Sequence, residues 1–446
     1  MKIAIAGTGY VGLVTAAVLA YIGHDVVCVD IDRDKVERLN AGECVIYEPG
    51  LEELLLSNKE RLQFTTDGKT AYRNAQAIFI AVGTPEKADG SANLNYIYAV
   101  AGEIAQCVEK DSIIIVKSTV PIGTNNKLQA FFDKNKKDNV RIEVVSNPEF
   151  LAQGTAVKDM LGASRIVVGT ASDYAKDVMT QVYERMGLPI LFTDLYSAEM
   201  IKYASNDFLA LKISYINEIA NLCEILGANI EDVSKGMGMD PRIGSQFLRA
   251  GIGYGGSCFP KDTKALHWLS NYYDNEIKTV KAAVEVNQNQ KIRLIKKARK
   301  YYDSFEGLTV AVLGLAFKPG TDDLREAPSL DNIPILLDDG AVVKVWDPVA
   351  TDHFKKRFED RLIYCDTVEE TIAGADLCLI LTEWPEVKDM KPEAFMKMRR
   401  PVILDGRNCF ECSIMNTLPI IYNSIGRPVV GKQYDSVDRS GYYDKL

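Results

Sequence analysis

Along the first 195 residues, short runs that are apolar at nearly every position alternate with stretches whose apolar residues recur at helical spacing. The runs are IAIAG (3–7), VVCVD (26–30), AIFIAVG (77–83), SIIIVK (112–117), IEVVS (142–146), RIVVG (165–169) and PILFT (189–193). A strand with one wet face alternates apolar and polar residues, so continuous runs predict parallel strands buried on both faces. From Ser197 to about Leu226 the pattern changes. Apolar residues fall at Ile201, Ala204, Phe208, Leu211 and Tyr215 with no Gly or Pro, which predicts one long helix. A second helical stretch covers roughly Thr263 to Tyr302. The strand pattern then returns in TVAVLGLAF (309–317), a helix from about Ser329, VVKVWDP (342–348), DLCLILT (376–382) and PVILDG (401–406).

These patterns predict an α/β fold of two doubly wound, Rossmann-like domains joined by a long central helical segment. The expected boundaries are 1–196 for an N-terminal dinucleotide-binding domain, 197–302 for the helical segment and 303–446 for a second α/β domain. A chain of 446 residues has room for that many cores. Residues 3–23 are uncharged and would draw attention as a leader or a membrane span, but Gly7, Gly9 and Gly12 interrupt them. No later run approaches the ~20 apolar residues that a span requires. A cytoplasmic location without membrane contact is expected. The nine cysteines are odd in number and scattered, which fits reduced thiols. Cys409 and Cys412 form a lone C-x-x-C, and a zinc site needs about four ligands, so no metal is expected. The net charge of −9 argues against nucleic-acid binding. Any phosphate must be held by local charge.

Gly7-Thr8-Gly9-Tyr10-Val11-Gly12 follows a predicted strand and opens a helix. Such glycines permit a tight turn and let backbone N–H groups approach a pyrophosphate at the helix N-terminus. Asp30 ends the next strand, where a carboxylate accepts ribose hydroxyls and repels a 2′-phosphate, so NAD is favoured over NADP. Val82-Gly83-Thr84-Pro85, Lys117-Ser118-Thr119-Val120-Pro121 and Asn147-Pro148-Glu149-Phe150 close three further strands, at the edge where ligands of such sheets bind. Lys202 and Asn206 share one helix face and can both donate to one oxyanion, although such a pair alone reads as solvated surface. In GIGYGGSCFPKD (251–262), glycines precede Cys258, and Lys261 with a helix start at Asp262 would lower the thiol pKa. Only three histidines are present, none in a catalytic-looking setting. A dinucleotide, a thiol, a carboxylate and a lysine suit an oxidation through an aldehyde, captured as a thiohemiacetal and oxidised to a thioester.

With these residues in place, the chain resembles the UDP-glucose/GDP-mannose dehydrogenase family over nearly its full length. The matching motifs are GTGYVG (7–12), YEPGL (47–51), VGTP (82–85), KSTVP (117–121), NPEFL (147–151), KYASN (202–206), DPRIG (240–244), GYGGSCFPKD (253–262), LGLAFKPGTDDLRE (313–326) and DGRN (405–408). The glycine fingerprint is widespread; the cysteine segment, KYASN and AFKPGTDDLRE are specific.

The resemblance implies roles. Cys258 would be the nucleophile, Lys202 and Asn206 the stabilisers of oxyanion and water, and Asp262 a base or water orienter. Glu149 would be the acid/base of thioester hydrolysis, with Thr119 bonded to the water. NAD would be held by Gly7, Gly9, Tyr10, Val11, Gly12, Asp30, Lys35, Gly83, Thr84, Pro85, Ser118, Thr119, Gln153, Lys261 and Arg325. The UDP-sugar would meet Glu149, Phe150, Leu151, Lys202, Asn206, Arg249, Gly251, Gly253, Tyr254, Gly255, Phe317, Lys318 and Arg407. Arg242 would reach the substrate of a neighbouring subunit, since members pair through the long helix as homodimers or higher homo-oligomers. Relatives often carry an acidic residue where this chain has Gln153, an amide that cannot share general-base duty, so that duty falls more heavily on Glu149. The implied reaction is four-electron oxidation of UDP-glucose to UDP-glucuronate with two NAD and one water, serving polysaccharide synthesis. The same chemistry on UDP-N-acetylmannosamine, UDP-N-acetylglucosamine or GDP-mannose is an alternative. So are a single-hydride dehydrogenase of the 6-phosphogluconate type, which needs no Cys258, and a sensor without turnover.

Overall fold

A computed structural model of the chain describes residues 1–431; the last stretch of the expected third domain, 432–446, lies outside the described residues. Two compact units are present. The first is Met1–Ser205 with Lys264–Glu276, and the second is Asn206–Thr263 with the described residues from Ile277 onward.

The first unit is built on an eight-stranded sheet: β1 (Lys2–Ala6), β2 (Asp25–Val29), β3 (Leu62–Thr65), β4 (Ala77–Ile80), β5 (Ser112–Val116), β6 (Ile142–Ser146), β7 (Ile166–Gly169) and β8 (Ile190–Thr193). Its order is β3-β2-β1-β4-β5-β6-β7-β8. All neighbours are parallel except β6 and β7, which meet antiparallel at Ser146 and Gly169. Strands β4 and β5 are buried at every residue, which is why they read as unbroken apolar runs. The order reverses between β1 and β4, and the crevice at such a switch point is where these sheets bind ligands. The edge strand β3, LQFT, went unforeseen because its wet face mixes polar residues into a short run.

The second unit carries a six-stranded, wholly parallel sheet: β9 (Thr309–Leu313), β10 (Val342–Trp346), β11 (Ile363–Tyr364), β12 (Leu377–Ile380), β13 (Val402–Asp405) and β14 (Ile421–Ser424), in the order β11-β10-β9-β12-β13-β14. This is the doubly wound order with its reversal between β9 and β12. Neither edge strand was foreseen. β11 has two residues, and β14, IYNS, buries polar side chains that look like loop.

The long helix is Leu195–Leu226, about 48 Å at 1.5 Å per residue. The division between the units falls within it. The second helical stretch consists of three helices, Phe259–Tyr272, Lys278–Lys291 and Arg293–Ala298. Asp274, at φ +51°, turns the chain left-handed after the first, and Asn275 N–H bonds back to the Ser270 carbonyl. The second unit anchors the end of the long helix with buried charge. Glu224 accepts from Lys297 at 2.6 Å, Arg293 at 2.7 Å and Gly426 N–H at 2.9 Å. The Lys297 ammonium also donates to Asn423 Oδ1 at 2.8 Å and to the Ser424 carbonyl. This explains the polar residues of β14.

Removing one partner of a buried pair strands the other charge. Glu224→Gln is therefore expected to lower unfolding stability by about 3 kcal/mol in denaturant titration. Adding Lys297→Met should recover part of that loss; a double variant no better than the single would contradict the pairing.

Candidate active site

The residues expected to hold a dinucleotide separate by task. Gly7 has φ +96°, and a Cβ there would meet the Ala81 carbonyl at 2.9 Å; a Cβ on Gly12 would meet the Gly7 carbonyl at 2.0 Å. These two glycines serve the turn and the helix–strand packing. A Cβ on Gly9 would meet nothing within 4 Å, so its backbone stands open to a ligand. The helix Tyr10–Tyr21 that it opens has no side-chain cap, leaving first-turn N–H groups available to a pyrophosphate. Asp30 Oδ2 accepts from Thr8 N–H at 2.9 Å, Thr8 Oγ1 at 2.6 Å and Lys35 Nζ at 3.4 Å. Burial pushes the Asp30 pKa up, but the bonds from Thr8 and Asp32 and the charge of Lys35 outweigh it and hold the carboxyl below its usual value. Thr8 is a site residue that sequence reasoning passed over. The open Gly9 backbone, the uncapped helix and the ionised Asp30 fit NAD.

Neighbouring loops close on this crevice. Thr84 Oγ1 donates to the Thr119 carbonyl at 2.9 Å, and Ser118 Oγ donates to the Val82 carbonyl at 2.6 Å, so the 82–85 and 117–121 loops are tied together. A Cβ on Gly83 would also meet nothing within 4 Å. Tyr10 Oη and Glu48 both accept from Gly154 N–H, which fixes the turn that carries Gln153.

Within the same unit, Lys202 and Glu149 form a buried ion pair. Lys202 Nζ donates to Glu149 Oε1 at 3.0 Å and to the Glu149 carbonyl at 2.6 Å, with the side chains 3% and 5% exposed. Glu149 Oε2 accepts from Leu151 N–H at 2.6 Å. Burial raises the Glu149 pKa, yet Lys202, the Leu151 N–H and Lys117 together hold it below the ordinary value. The Phe150 ring carries the Arg165 guanidinium at 4.1 Å and Lys202 Nζ at 5.4 Å.

In the second unit the helix begins at Phe259, not Asp262, because Asp262 N–H already bonds to the Cys258 carbonyl at 2.8 Å. Cys258 therefore stands at the helix N-terminus itself, where the dipole favours a thiolate. Ser257 Oγ lies 3.6 Å from its sulfur. Asp323 binds Arg325 bidentately and raises the guanidinium pKa first; the charge of Cys258 raises it further, which places Arg325 in the field of the thiol. Asn206 Nδ2 donates to Asp262 Oδ2 at 2.7 Å, and Lys261 pairs with Asp262 Oδ1. Asp207 was missed. Burial first, and then the charge of Asp262, push its carboxyl up to about 8, and neither oxygen has a hydrogen-bond partner among the described residues.

The expected sugar-nucleotide residues partly converge. Arg407 donates to the carbonyls of Leu381, Gly253 and Phe317 at 2.8, 3.2 and 3.1 Å, and Arg249 donates to the Arg407 carbonyl at 2.9 Å. Glu383, unforeseen, lies 3.4 Å from Arg407 and 3.8 Å from Arg249. A Cβ on Gly251 would meet the Gly406 carbonyl at 3.0 Å, and one on Gly255 the Glu326 carbonyl at 2.5 Å. The Tyr254 backbone is held by Asn287 at both N–H and carbonyl, and Lys318 Nζ sits 5.6 Å from the Phe317 ring. Arg242 stays outside the cluster, exposed and bonded to Asp240.

Residues 1–187 match the NAD binding domain of the UDP-glucose/GDP-mannose dehydrogenase family, 196–289 its central domain and 311–412 its UDP binding domain. The chain belongs to the UDP-glucose/GDP-mannose dehydrogenase family. It is 46% identical over 433 residues to UDP-glucose 6-dehydrogenase YwqF of Bacillus subtilis, covering 96% of this chain and 98% of that one. It is 43% identical to the UDP-glucose 6-dehydrogenase of Rhizobium meliloti, over 96% and 100%. Among solved structures it is similar to a UDP-glucose dehydrogenase from Pyrobaculum islandicum, with TM-score 0.87, 38% identity and coverage of 91% and 94%. A UDP-D-ManNAc dehydrogenase from Pyrococcus horikoshii gives TM-score 0.84, 28% identity and coverage of 96% and 99%. As a member of this family the chain is an NAD-dependent dehydrogenase, with its NAD-binding domain in the first unit's sheet.

The buried Asp207 makes a measurable mark. Its folded pKa lies above the usual carboxylate value near 4, so the native state holds a proton that the unfolded chain releases, and stability falls as pH rises from about 4 to about 8. Asp207→Asn cannot ionise and is expected to be more stable than the parent by on the order of 2 kcal/mol near pH 8, with the gain vanishing below about pH 4. Thermal melts across pH check this, and a difference that does not change with pH would contradict it.

Proposed function

We propose that the chain oxidises UDP-glucose to UDP-glucuronate with two NAD and one water, through a thiohemiacetal and a thioester on Cys258. One observation carries the reading. On the helix Leu195–Leu226, Lys202 and Asn206 stand one turn apart, and each is bonded to a buried carboxylate, Glu149 and Asp262. NAD, held by Gly9, the first turn of the fingerprint helix, Asp30 and the 82–85 and 117–121 loops, supplies the hydride acceptor for both oxidations.

The residues of the chain do the rest. Cys258 attacks the aldehyde carbon, and the carbonyl oxygen gains the electron pair, with Lys202 and Asn206 donating to it. In hydrolysis, water forms a bond to the acyl carbon and gives its proton to Glu149, and the carbon–sulfur bond breaks with its electron pair on Cys258. Thr119 bonds to that water. Asp262 orients Asn206 and acts as base or water orienter. Phe150, Leu151, Arg249, the 251–255 segment, Phe317, Lys318 and Arg407 hold the sugar nucleotide. Identity above 40% to two UDP-glucose 6-dehydrogenases supports UDP-glucose as the sugar; the structural likeness to a UDP-D-ManNAc dehydrogenase keeps that sugar as the second candidate.

The active form we infer is a homodimer or larger homo-oligomer joined along the long helix. Phe208, Tyr215 and Leu222 fall seven residues apart on it, all three exposed, and Leu226, one turn beyond Leu222, is exposed as well. No helix among the described residues is long and apolar enough to cross a membrane, and an apolar stripe at heptad spacing suits a second helix. Arg242, with its side chain 87% exposed, is free of the local cluster and able to serve a neighbouring subunit.

Substitution separates the steps. Glu149→Gln is expected to slow thioester hydrolysis at least about 100-fold while retaining the first oxidation, so that mass spectrometry finds an acyl adduct on Cys258. Cys258→Ser should lose turnover to the acid. Full turnover by the serine variant, or an unmodified thiol during turnover of the glutamine variant, would contradict the scheme.

A further inference from the structure

Lys117 ends the strand run of β5 and is buried, with 6% exposure. Its ammonium has a hydrogen bond to Asn147 Oδ1 at 3.3 Å. That oxygen also accepts from Tyr183 Oη at 2.6 Å, and Asn147 Nδ2 donates to the Val167 carbonyl at 2.8 Å, so the amide is fixed on both sides. An ammonium has three donors, and Asn147 takes one. A cavity of about 230 Å³ lies against both Lys117 and Glu149 and reaches Ser164 and Arg165; Ser164, at the outer end, is exposed. Water occupies about 30 Å³ in the liquid, so the cavity has room for several molecules.

The charged and titratable groups around Lys117 are Glu149 on the 147–151 loop, Lys202 on the long helix, Tyr183, and Asp159 and Arg165 across the cavity. Burial pushes the Lys117 ammonium down, Glu149 pulls it back and Lys202 lowers it again, leaving it at about 8. A lysine so placed exchanges its proton close to neutral pH. Lys202, by contrast, bonds to Glu149 itself through two of its three donors.

We propose that Lys117 and this cavity carry to solvent the proton that Glu149 takes from the hydrolytic water. The inference rests on the role of Glu149 given above. Once the acyl group has left Cys258, Glu149 is protonated and must lose that proton before the next hydrolysis. Through cavity water, the neutral Lys117 amine accepts it and becomes ammonium while Glu149 returns to carboxylate. Lys117 then releases the proton to water at the exposed end. No electron moves and no further reactant is needed. Lys117 is thus a positioning and relay residue that does not touch the sugar.

The test uses the purified full chain with UDP-glucose and NAD in weak buffer near neutral pH. Lys117→Met is expected to keep the first rapid burst of reduced nicotinamide but to lower steady turnover at least about tenfold. Raising the concentration of a small buffer such as imidazole should restore it, because the buffer carries the proton in place of the amine. Lys117→Arg keeps the charge but does not deprotonate in this range, so it should share both the defect and the rescue, and it decides the matter if the methionine variant fails to fold. Turnover equal to the parent, or a defect indifferent to buffer concentration, would overturn the relay. Glu149→Gln run alongside keeps the two readings apart: an adduct on Cys258 assigns any such failure to the relay alone, whereas its absence would overturn the Glu149 role and the relay with it.

Discussion

The buried pairing of Lys202 with Glu149 is the constraint around which the first unit is arranged. Two ions withdrawn from water cost several kcal/mol each unless their partners are placed well, and these are held at 3.0 Å with further bonds to backbone groups. Meeting that demand takes a lysine on the long helix and a glutamate just past the carboxyl end of β6, where the sheet opens its crevice. One turn further along the helix, Asn206 meets the same demand for Asp262, in the helix whose N-terminus carries Cys258. The ammonium of Lys202 and the amide of Asn206 thus each have a carboxylate behind them, Glu149 and Asp262.

The two sheets show how one architecture takes on different work. Both follow a doubly wound order, and both place a carboxylate after the second strand to hold the loop after the first. In the first sheet that loop keeps Gly9 open, and Asp30 retains lone pairs at the crevice. In the second, Asp347 is spent on the N–H groups of Leu315 and Ala316 and on Trp384, and a Cβ on Gly314 would strike Thr382 at 2.3 Å. The second loop is closed, which leaves arginines such as Arg249 and Arg407 to supply positive charge there.

What the sequence discloses follows from burial. Strands covered on both faces write themselves as unbroken apolar runs, and the central strands of both sheets were readable for that reason. The edges β3, β11 and β14 were not: they are short, or their polar residues are satisfied by distant partners such as Lys297, which no local pattern reveals. The break at Asp274 was equally hidden, since an aspartate in left-handed backbone looks like any helical residue. Pro260, a residue tolerated in a helix's first turn, could have signalled the earlier start at Phe259. In the site, the four-residue spacing of Lys202 and Asn206 placed them on one face, but their carboxylate partners lie 53 and 56 residues away, a pairing that no local spacing reveals. Asp207 could not be found by pattern, because an acidic residue on a helix reads as wetted surface until packing shows it buried.

We propose that one enzyme carries the sugar from alcohol to acid without releasing the aldehyde. The most direct measurement is the amount of NADH formed per UDP-glucose consumed, with NAD in excess and other sugar nucleotides run beside it. The account predicts two equivalents with UDP-glucose and UDP-glucuronate as product. One equivalent, with an aldehyde or ketone accumulating, would contradict the thioester chemistry assigned to Cys258, Lys202 and Glu149.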